Sequence, residues 1–334
     1  MMKKYTIPIS IITLFFMLIV IGLFLATSVR QNNNDKPVVY VIVKSINTGP
    51  TFEFWETVRK GAEIAAMELN LEMIFDGPDN EIEVDKQIQI VKDAIKKKPT
   101  AIVIAATDYK KLSTVAKEVV DNGITLVTID SALELDFEHS FIGTDNVMAA
   151  KSIANELASL LQEKGQVAVL SYVQGTSTAF QREAGFRDSI SKYKDIDLID
   201  KTWYCNGSID VAYEKTLEIL QEYPNVTAIF GANETSLIGI ARAIDELDAK
   251  RKIHVVGFDS NEEIVSKLEL GVIDMIIVQK PFNMGYQGVK EAIDINNGEK
   301  APHTVDTGAV IINKDNLYTP ENQKLLFPFE NKEY

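Results

Sequence analysis

The feature that most constrains the fold of this chain is an alternation of short β-branched runs with longer amphipathic segments, which begins at Pro37. The first run is Val38 to Val43, and apolar residues then recur at helical spacing from Phe54 to Leu69. Such alternation indicates βαβ units, because parallel strands need a long crossover connection, which is usually a helix. The sequence therefore predicts an α/β fold built on parallel sheets that helices cover on both faces.

The alternation runs once to about residue 129 and then restarts. We predict further strands at 71–75, 101–105, 125–129, 166–171, 197–203, 226–230, 253–257, 273–278 and 305–312. We predict further helices at 83–97, 112–121, 147–163, 178–192, 209–222, 234–248, 261–270 and 283–297. Each half has the order of a doubly wound sheet, so the pattern indicates a duplicated architecture rather than a short tandem repeat.

Candidate binding residues follow the predicted strands, because ligands of open parallel sheets bind outside the carboxyl ends of the strands. Acids and amides there can pair with the hydroxyl groups of a polyhydroxylated molecule, and aromatic faces can pack against its C–H groups. Arg182 and the pair Phe54-Trp55 lie close to these ends in the predicted order. The strand-end candidates are Ser45, Asp108, Asp130, Tyr172, Trp203, Asn233, Asp259 and Gln279.

Each candidate also has a purely structural interpretation. An Asp after a strand often caps a turn or a helix. Phe54 and Trp55 lie on an amphipathic helix, where aromatic residues usually belong to the core. Arg182 could equally be solvated or ion-paired near the start of its helix. The convergence of all of them at one edge favours a binding site over these separate explanations.

The N-terminal segment from Tyr5 to Val29 contains no charged residue, and residues 7–26 are overwhelmingly apolar. That length can cross a bilayer core of about 30 Å. Lys3 and Lys4 precede it, so the positive-inside rule keeps the N-terminus cytoplasmic and places the rest outside. We expect a membrane anchor with an extracytoplasmic folded part. The alternative is a secretory signal that is cleaved near Ser28.

The composition argues against several other function classes. The formal net charge of −14 does not suit a phosphate-backbone partner. Cys205 is the only cysteine, so no disulfide framework and no CxxC metal or redox pair is expected. The segment 175–179 follows a strand and opens a helix like a nucleophile elbow, but it lacks the G-x-S-x-G pattern. The three histidines, His139, His254 and His303, give little support to a catalytic base. We expect no enzyme activity, cofactor or metal.

Several short motifs occur in order between residues 37 and 318. They are Phe54-Trp55-x-x-Val58-x-x-Gly61-Ala62, Thr107-Asp108, Thr128-Ile129-Asp130, Gly143-Thr144-Asp145-Asn146, Gly175-Thr176-Ser177-x-x-x-x-Arg182-x-x-Gly185-Phe186, Asn233-Glu234, Val256-Gly257-Phe258-Asp259 and Gln279-Lys280-Pro281. Together they resemble the periplasmic ribose-binding-protein family, the type I sugar-binding proteins of bacterial import systems.

The resemblance implies two doubly wound, parallel-sheet lobes joined by three hinge strands, with ligand held between the lobes. The chain should cross between the lobes near Thr144, Gln279 and Asp306. We therefore expect residues 1–36 to form the anchor and spacer. The N-terminal lobe should comprise 37–144 and 280–306, and the C-terminal lobe 145–279 and 307–334.

The resemblance also implies roles for individual residues. Asp130, Arg182, Asn233, Asp259 and Gln279 match positions that hydrogen-bond the sugar, and Phe54 and Trp55 match an aromatic pair, in which Trp55 is the better stacking candidate. The sequence departs from the ribose binders where Ala105 replaces an Asn, Ser131 replaces an Arg, and Phe52-Glu53 replaces Asn-Pro. These departures indicate that the sugar is bound differently from ribose. Ser45, Glu53 and Asp108 become secondary candidates, and a xylose-type or other pentose or hexose site is the resulting hypothesis.

The function that the resemblance implies is a binding protein that closes on a monosaccharide without changing it. Its membrane partner would be an ABC permease that imports the sugar, or a sensor histidine kinase that detects occupancy. An alternative ligand is a non-sugar polar molecule, such as an autoinducer or a polyol, and an α/β hydrolase is a remote alternative. A repressor with the same core would carry a helix-turn-helix before residue 37, where this chain is apolar.

Overall fold

The computed structural model describes residues 36–46, 52–135, 137, 139–247, 253–300 and 302–327. The expected membrane anchor at residues 7–26 lies outside this part of the chain. Within the described residues, no helix combines the length and the apolar character needed to span a bilayer. The described residues from Val38 onward belong to one compact unit.

The described part alternates strands with helices from its first element. The strands are β1 (Val38–Ile42), β2 (Glu72–Asp76), β3 (Ala101–Ile104), β4 (Thr125–Ile129), β5 (Ser140–Gly143), β6 (Lys164–Ser171), β7 (Asp195–Tyr204), β8 (Ala228–Gly231), β9 (His254–Phe258), β10 (Met275–Gln279), β11 (Thr304–Asp306) and β12 (Ala309–Asn313). The helices are α1 (Phe52–Glu68), α2 (Val84–Lys96), α3 (Ser113–Asp121), α4 (Asn146–Leu160), α5 (Ser177–Ile190), α6 (Ile209–Glu222), α7 (Glu234–Glu246), α8 (Glu262–Leu270), α9 (Pro281–Asn296) and α10 (Pro320–Leu326).

The strands form two six-stranded sheets, one in each of two lobes. The first sheet has the order β11-β5-β4-β3-β1-β2, and all its strand pairs are parallel. The second has the order β12-β10-β9-β8-β6-β7, in which only β12 pairs antiparallel to its neighbour. In both sheets the strand order reverses beside the lobe's first strand, which is where doubly wound folds bind ligands. The predicted two-lobed α/β architecture is confirmed.

The chain passes between the sheets at three places. Thr144 and Asp145 link β5 of the first sheet to α4, which packs on α5 of the second lobe. Lys280 links β10 to α9, which packs on α1 of the first lobe. Thr307 and Gly308 link β11 to β12, and Gly308 has a φ of 74°. These links lie next to the three positions predicted as crossings.

The prediction of one strand over residues 305–312 is wrong, because this stretch contains β11 and β12 in different sheets. Residues 306–308, which read Asp-Thr-Gly, interrupt the apolar run at the point where the chain changes sheet. Strand β5 was not predicted, since its sequence Ser-Phe-Ile-Gly contains only two large apolar residues.

Hydrophobic cores cover both faces of the first sheet. Val41 and Val103 face a core that includes Trp55 of α1, whereas Ile42 faces a second core with Val115 of α3. The alternation of Val41 and Ile42 follows the two-residue period of a strand. One continuous core spans the second lobe. Burial on both faces explains why central strands such as β1 and β3 are apolar at successive positions, whereas the edge strand β7 alternates exposed polar residues with buried ones.

Two glycines let α1 lie directly against α9. A Cβ atom on Gly61 would lie 2.0 Å from the carbonyl oxygen of Phe282, and one on Gly285 would lie 1.9 Å from that of Val58. Contacts this short exclude any side chain at either position. The close packing holds the first turns of α1, and with them Trp55, at the edge where the lobes meet.

Candidate ligand-binding site

The carboxyl ends of the two sheets face each other across a small cavity. Its volume is about 30 Å³, well below the roughly 300 to 1,000 Å³ of typical small-molecule sites. A ligand of more than a few atoms therefore requires the lining to move apart. The lining combines cations, acids, amides and aromatic rings from both lobes, namely Lys44, Phe54, Trp55, Glu81, Asp130, Tyr172, Arg182, Asn233, Glu234, Asp259 and Gln279.

The first lobe contributes an ion pair between Lys44, which closely follows β1, and Asp130, which follows β4. Lys44 Nζ lies 2.9 Å from Asp130 Oδ2, and both side chains are 4% exposed. Burial lowers the pKa of Lys44, but the charges of Asp130 and Glu81 outweigh burial and leave this pKa above its ordinary value. Lys44 is therefore a cation, and its ammonium group lies 5.5 Å from the Trp55 ring centre and 6.0 Å from that of Tyr172.

The second lobe contributes Arg182, which α5 carries into the cavity. Its Nε donates to Asn146 Oδ1 at 2.7 Å and its Nη1 donates to the Ala232 carbonyl at 2.9 Å. The guanidinium lies 4.0 Å from the ring centre of Phe258, so its position is set from several directions. Nη1 also lies 3.7 Å from Asp259 Oδ2. Arg182 is 2% exposed, which makes it a preorganised charge rather than a solvated one.

Asp259 connects three elements of the second lobe. Gln279 Nε2 donates to Asp259 Oδ1 at 2.6 Å, and the backbone N–H of Glu234 donates to Oδ2 at 3.2 Å. These contacts leave Gln279 Oε1 buried without a hydrogen-bond partner in the described part of the chain. A buried acceptor of this kind costs free energy until a donor reaches it. Gln279 can therefore accept from a ligand hydroxyl.

The two aspartates occupy equivalent places. Each directly follows the fourth strand of its lobe, and both adopt left-handed backbone, with φ of 56° at Asp130 and 76° at Asp259. Such backbone strains a residue with a side chain and is often found at functional sites. Each lobe thus holds one cation close to one of these carboxylates, and both pairs face the cavity between the lobes.

Asn233 both caps a helix and lines the cavity, the two roles considered for residues that follow a strand. Its Oδ1 accepts from the backbone N–H of Ser236 at 3.0 Å, which caps α7, and its Nδ2 donates to Thr235 Oγ1 at 2.9 Å. The side chain still lines the cavity. Asn233 therefore fixes the start of α7 while it faces the cavity.

Sequence reasoning missed three residues of the lining. Lys44 is adjacent to the selected Ser45, and a lysine at the end of an apolar strand was the available signal. Glu234 follows Asn233, but a glutamate in a first helical turn is ordinary. Glu81 lies in the loop beyond β2, where strand-end reasoning does not reach. Its Oε2 is buried and has no hydrogen-bond partner within the described residues.

Three sequence candidates lie outside the lining of this cavity. Ser45 donates from Oγ to the Asp79 carbonyl at 2.7 Å. Asp108 Oδ1 accepts from the backbone N–H groups of residues 110 and 111, and so fixes the turn before α3. Trp203 is buried, and its Nε1 donates to Glu218 of α6 at 2.9 Å. Trp203 thus belongs to the packing between β7 and α6. The secondary candidate Glu53 lines a wider neighbouring crevice.

The mouth of the cleft is closed by direct contacts between the lobes. The backbone N–H of Tyr109 donates to the Gly175 carbonyl at 2.9 Å, and that of Ala132 donates to Ser177 Oγ at 2.8 Å. The rings of Tyr109 and Phe180 meet edge to face at 5.4 Å. These contacts belong to a closed arrangement, and they must break when the lobes separate.

Glu234 should make the stability of the protein depend on pH. Burial, followed by the charge of Asp259, raises its pKa well above the ordinary value. The folded state therefore holds a proton that the unfolded chain releases, so the contribution of Glu234 to stability is greatest below the unfolded pKa of about 4.3 and is lost as pH rises through the folded pKa. We expect Glu234→Gln to flatten this decline in melting temperature between pH 4 and 8. The exposed Glu321→Gln should retain it; an unchanged slope in Glu234→Gln would contradict the assignment.

No group of three or more His, Cys, Asp or Glu side chains in the described residues is arranged to hold a metal ion. The side chains of the cavity instead pair with one another, cation with carboxylate and amide with carboxylate. This chemistry suits a neutral ligand that is rich in hydroxyl groups, because hydroxyls donate to the carboxylates and accept from the cations.

Comparison with known proteins agrees with this geometry. Residues 42–300 match the periplasmic binding protein domain family. The chain is 27% identical to the D-ribose/D-allose-binding protein of Pseudomonas aeruginosa, over 84% of this chain and 88% of that protein. It is 27% identical to the ribose import binding protein of Bacillus subtilis, over 83% and 88%.

Among solved structures, a carbohydrate transporter solute binding protein from Agrobacterium radiobacter, in complex with D-arabinose, is similar with a TM-score of 0.83. It is 30% identical, and the match covers 88% of this chain and all of that one. At the family level these relatives are binding proteins rather than enzymes. The chain belongs to the periplasmic binding protein domain family, among its type I, ribose-like sugar-binding members.

Proposed function

We propose that this protein binds a single neutral monosaccharide, a pentose or a hexose, in the cavity between its lobes. The observation that carries the proposal is the pairing of Lys44 with Asp130 in one lobe and the approach of Arg182 to Asp259 in the other. Both sets face one cavity. Hydroxyl groups can exchange into these pairs without leaving a buried charge unpartnered.

Aromatic rings supply the other half of sugar recognition. Trp55 and Tyr172 are almost fully buried at the cavity wall, and Phe54 meets Trp55 edge to face at 4.8 Å. Flat faces of this kind pack against the C–H surface of a sugar ring. Two acceptors, Glu81 Oε2 and Gln279 Oε1, are buried without partners in the described residues and suit hydroxyl donors. The set fits a sugar better than an apolar or anionic ligand.

Binding would proceed by closure of the lobes on the sugar. The three linking segments at Thr144, Lys280 and Gly308 are short, so a hinge motion there moves each lobe as a body. Each charged pair stays within its own lobe, so it persists when the cleft opens. The sugar then adds bonds to both lobes at once and shifts the population towards the closed state.

The names of the relatives support a membrane permease as the partner. One relative is named for ribose import and another for carbohydrate transport, which supports delivery of the sugar to an ABC permease. The folded part would then work outside the cytoplasm, held by residues 7–26 or released by cleavage near Ser28. Signalling to a sensor histidine kinase is the second candidate, which the short spacer after the apolar segment favours. Cross-linking in membranes distinguishes the two, since recovery of permease subunits alone would exclude the kinase.

A thermal-shift and calorimetry screen tests sugar binding. The full-length chain is purified in a detergent without a sugar headgroup and titrated with D-ribose, D-allose, D-arabinose, D-xylose and D-glucose, and with ribitol as a polyol control. At a concentration of one hundred times Kd, a bound sugar should add about 2.7 kcal/mol to the free energy of unfolding. Stabilisation by ribitol, with none by any of the five sugars, would contradict the proposal.

A further inference from the structure

Next to the binding cavity lies a second, much larger space, which we call the outer crevice. It has a volume of about 660 Å³, within the range of ligand sites, whereas the binding cavity encloses about 30 Å³. Its walls come from α1 and the start of α9 on one side, and from the start of α8 and the segment 324–327 on the other. The outer crevice therefore lies between the two lobes, as the cavity does.

The two spaces share part of their walls. Phe54, Asp259 and Gln279 line both of them. Gln279 is 3% exposed, and its Oε1 has no hydrogen-bond partner in the described part of the chain. A sugar ring held by Asp259 and Gln279 would therefore lie at the boundary of the outer crevice. A substituent on the sugar oxygen at that boundary would extend into the crevice.

The chemistry of the outer crevice suits carbohydrate. The aromatic residues Phe54, Phe282 and Phe327 lie in its lining, and acidic and basic residues lie among them. Glu53 of α1 and Glu262 of α8 come from opposite lobes, and partial burial together with the charge of Glu262 raises the pKa of Glu53. The charged side chains nearly balance: the acids are Glu53, Glu56, Asp259 and Glu262, and the bases are Lys60, Lys280 and Lys324.

We infer that the outer crevice is a subsite for a second sugar unit, so that the protein accepts a disaccharide, with one unit in the cavity and the other in the crevice. The near balance of charge favours a neutral unit over a phosphate or an amine. The inference rests on the proposed function, because the inner unit must occupy the sugar cavity. It extends the ligand class from free monosaccharides to disaccharides.

Calorimetry on the full-length chain tests the subsite with matched probes. Xylobiose, arabinobiose, cellobiose and melibiose are each compared with their free monosaccharides. At least one disaccharide should bind ten or more times more tightly than its free units. Weaker binding of all four disaccharides, while a free sugar binds, would overturn this inference alone; absence of binding by every free sugar would instead contradict the proposed function.

A variant whose side chain fills the outer crevice shows whether the tighter binding of a disaccharide depends on this space. Thr57 lines the crevice but not the cavity, so Thr57→Trp should weaken disaccharide binding at least tenfold and change monosaccharide affinity less than twofold. Lys324→Trp fills the opposite wall and replaces it if Thr57→Trp does not fold. Met67→Trp is the matched control on α1, since Met67 is 68% exposed and lies outside the crevice lining. Unchanged disaccharide affinity in the folded crevice variants would overturn the subsite.

Discussion

Arg182→Ala is expected to weaken binding of the sugar identified in the screen by at least about 30-fold, or about 2 kcal/mol. The substitution removes the cation beside Asp259 and the donor to Asn146 Oδ1 and the Ala232 carbonyl. Because these groups are buried, the ligand would then meet an unpaired carboxylate and lose a charged donor. Isothermal titration calorimetry on the folded variant measures the change.

Arg187→Ala is the matched control for this substitution. Arg187 lies on the same helix, α5, and pairs with Glu183 while its Nη1 donates to the Ile199 carbonyl. It does not line the cavity. This variant should lose stability but bind sugar as the unchanged protein does. Equal affinities for Arg182→Ala and the unchanged protein would remove Arg182 from the site, whatever the stabilities.

Lys44→Met is expected to lower the free energy of unfolding by about 3 to 5 kcal/mol. It leaves Asp130, which is 4% exposed, without the cation that lies 2.9 Å away. Methionine matches much of the lysine stem, so the loss reports the charge rather than a cavity. Urea denaturation of the variant at neutral pH provides the measurement.

The double variant Lys44→Met, Asp130→Asn separates stability from recognition. It removes both charges of the pair, so it should recover most of the stability that Lys44→Met loses. It should not recover sugar affinity, because the charged partners of the hydroxyls remain absent. Recovery of both properties together would mean that the pair holds the fold and does not contact the ligand. A loss below about 1 kcal/mol in Lys44→Met would contradict the buried ion pair itself.

The architecture and eight of the eleven residues that line the cavity were named from the sequence. Runs such as Val38 to Val43 are largely buried on both faces. Such burial gives a continuous apolar run, by which a parallel strand can be recognised from a single sequence. Asp130 and Asp259 were likewise predictable as site candidates, because each follows a strand and ligands of open parallel sheets bind outside the carboxyl ends of the strands. Their pairing with Lys44 and Arg182 was not, since no local rule states which side chains meet across a sheet.

The direction of side chains near strand ends also needed the structure. Trp203 lies within β7, one residue before its end, and faces α6, because a shift of one residue along a strand turns a side chain to the other face. Glu81 reaches the cavity from a loop, and a loop has no periodicity from which its direction follows.

The residue pattern was therefore enough to predict most helices and strands and their order along the chain, since the type of each element depends on nearby residues and on its own burial. Only the folded molecule decided how the two lobes face each other and which charges pair inside the cleft. These features depend on contacts between residues far apart in sequence, and the choice among such contacts is made by packing of the whole molecule.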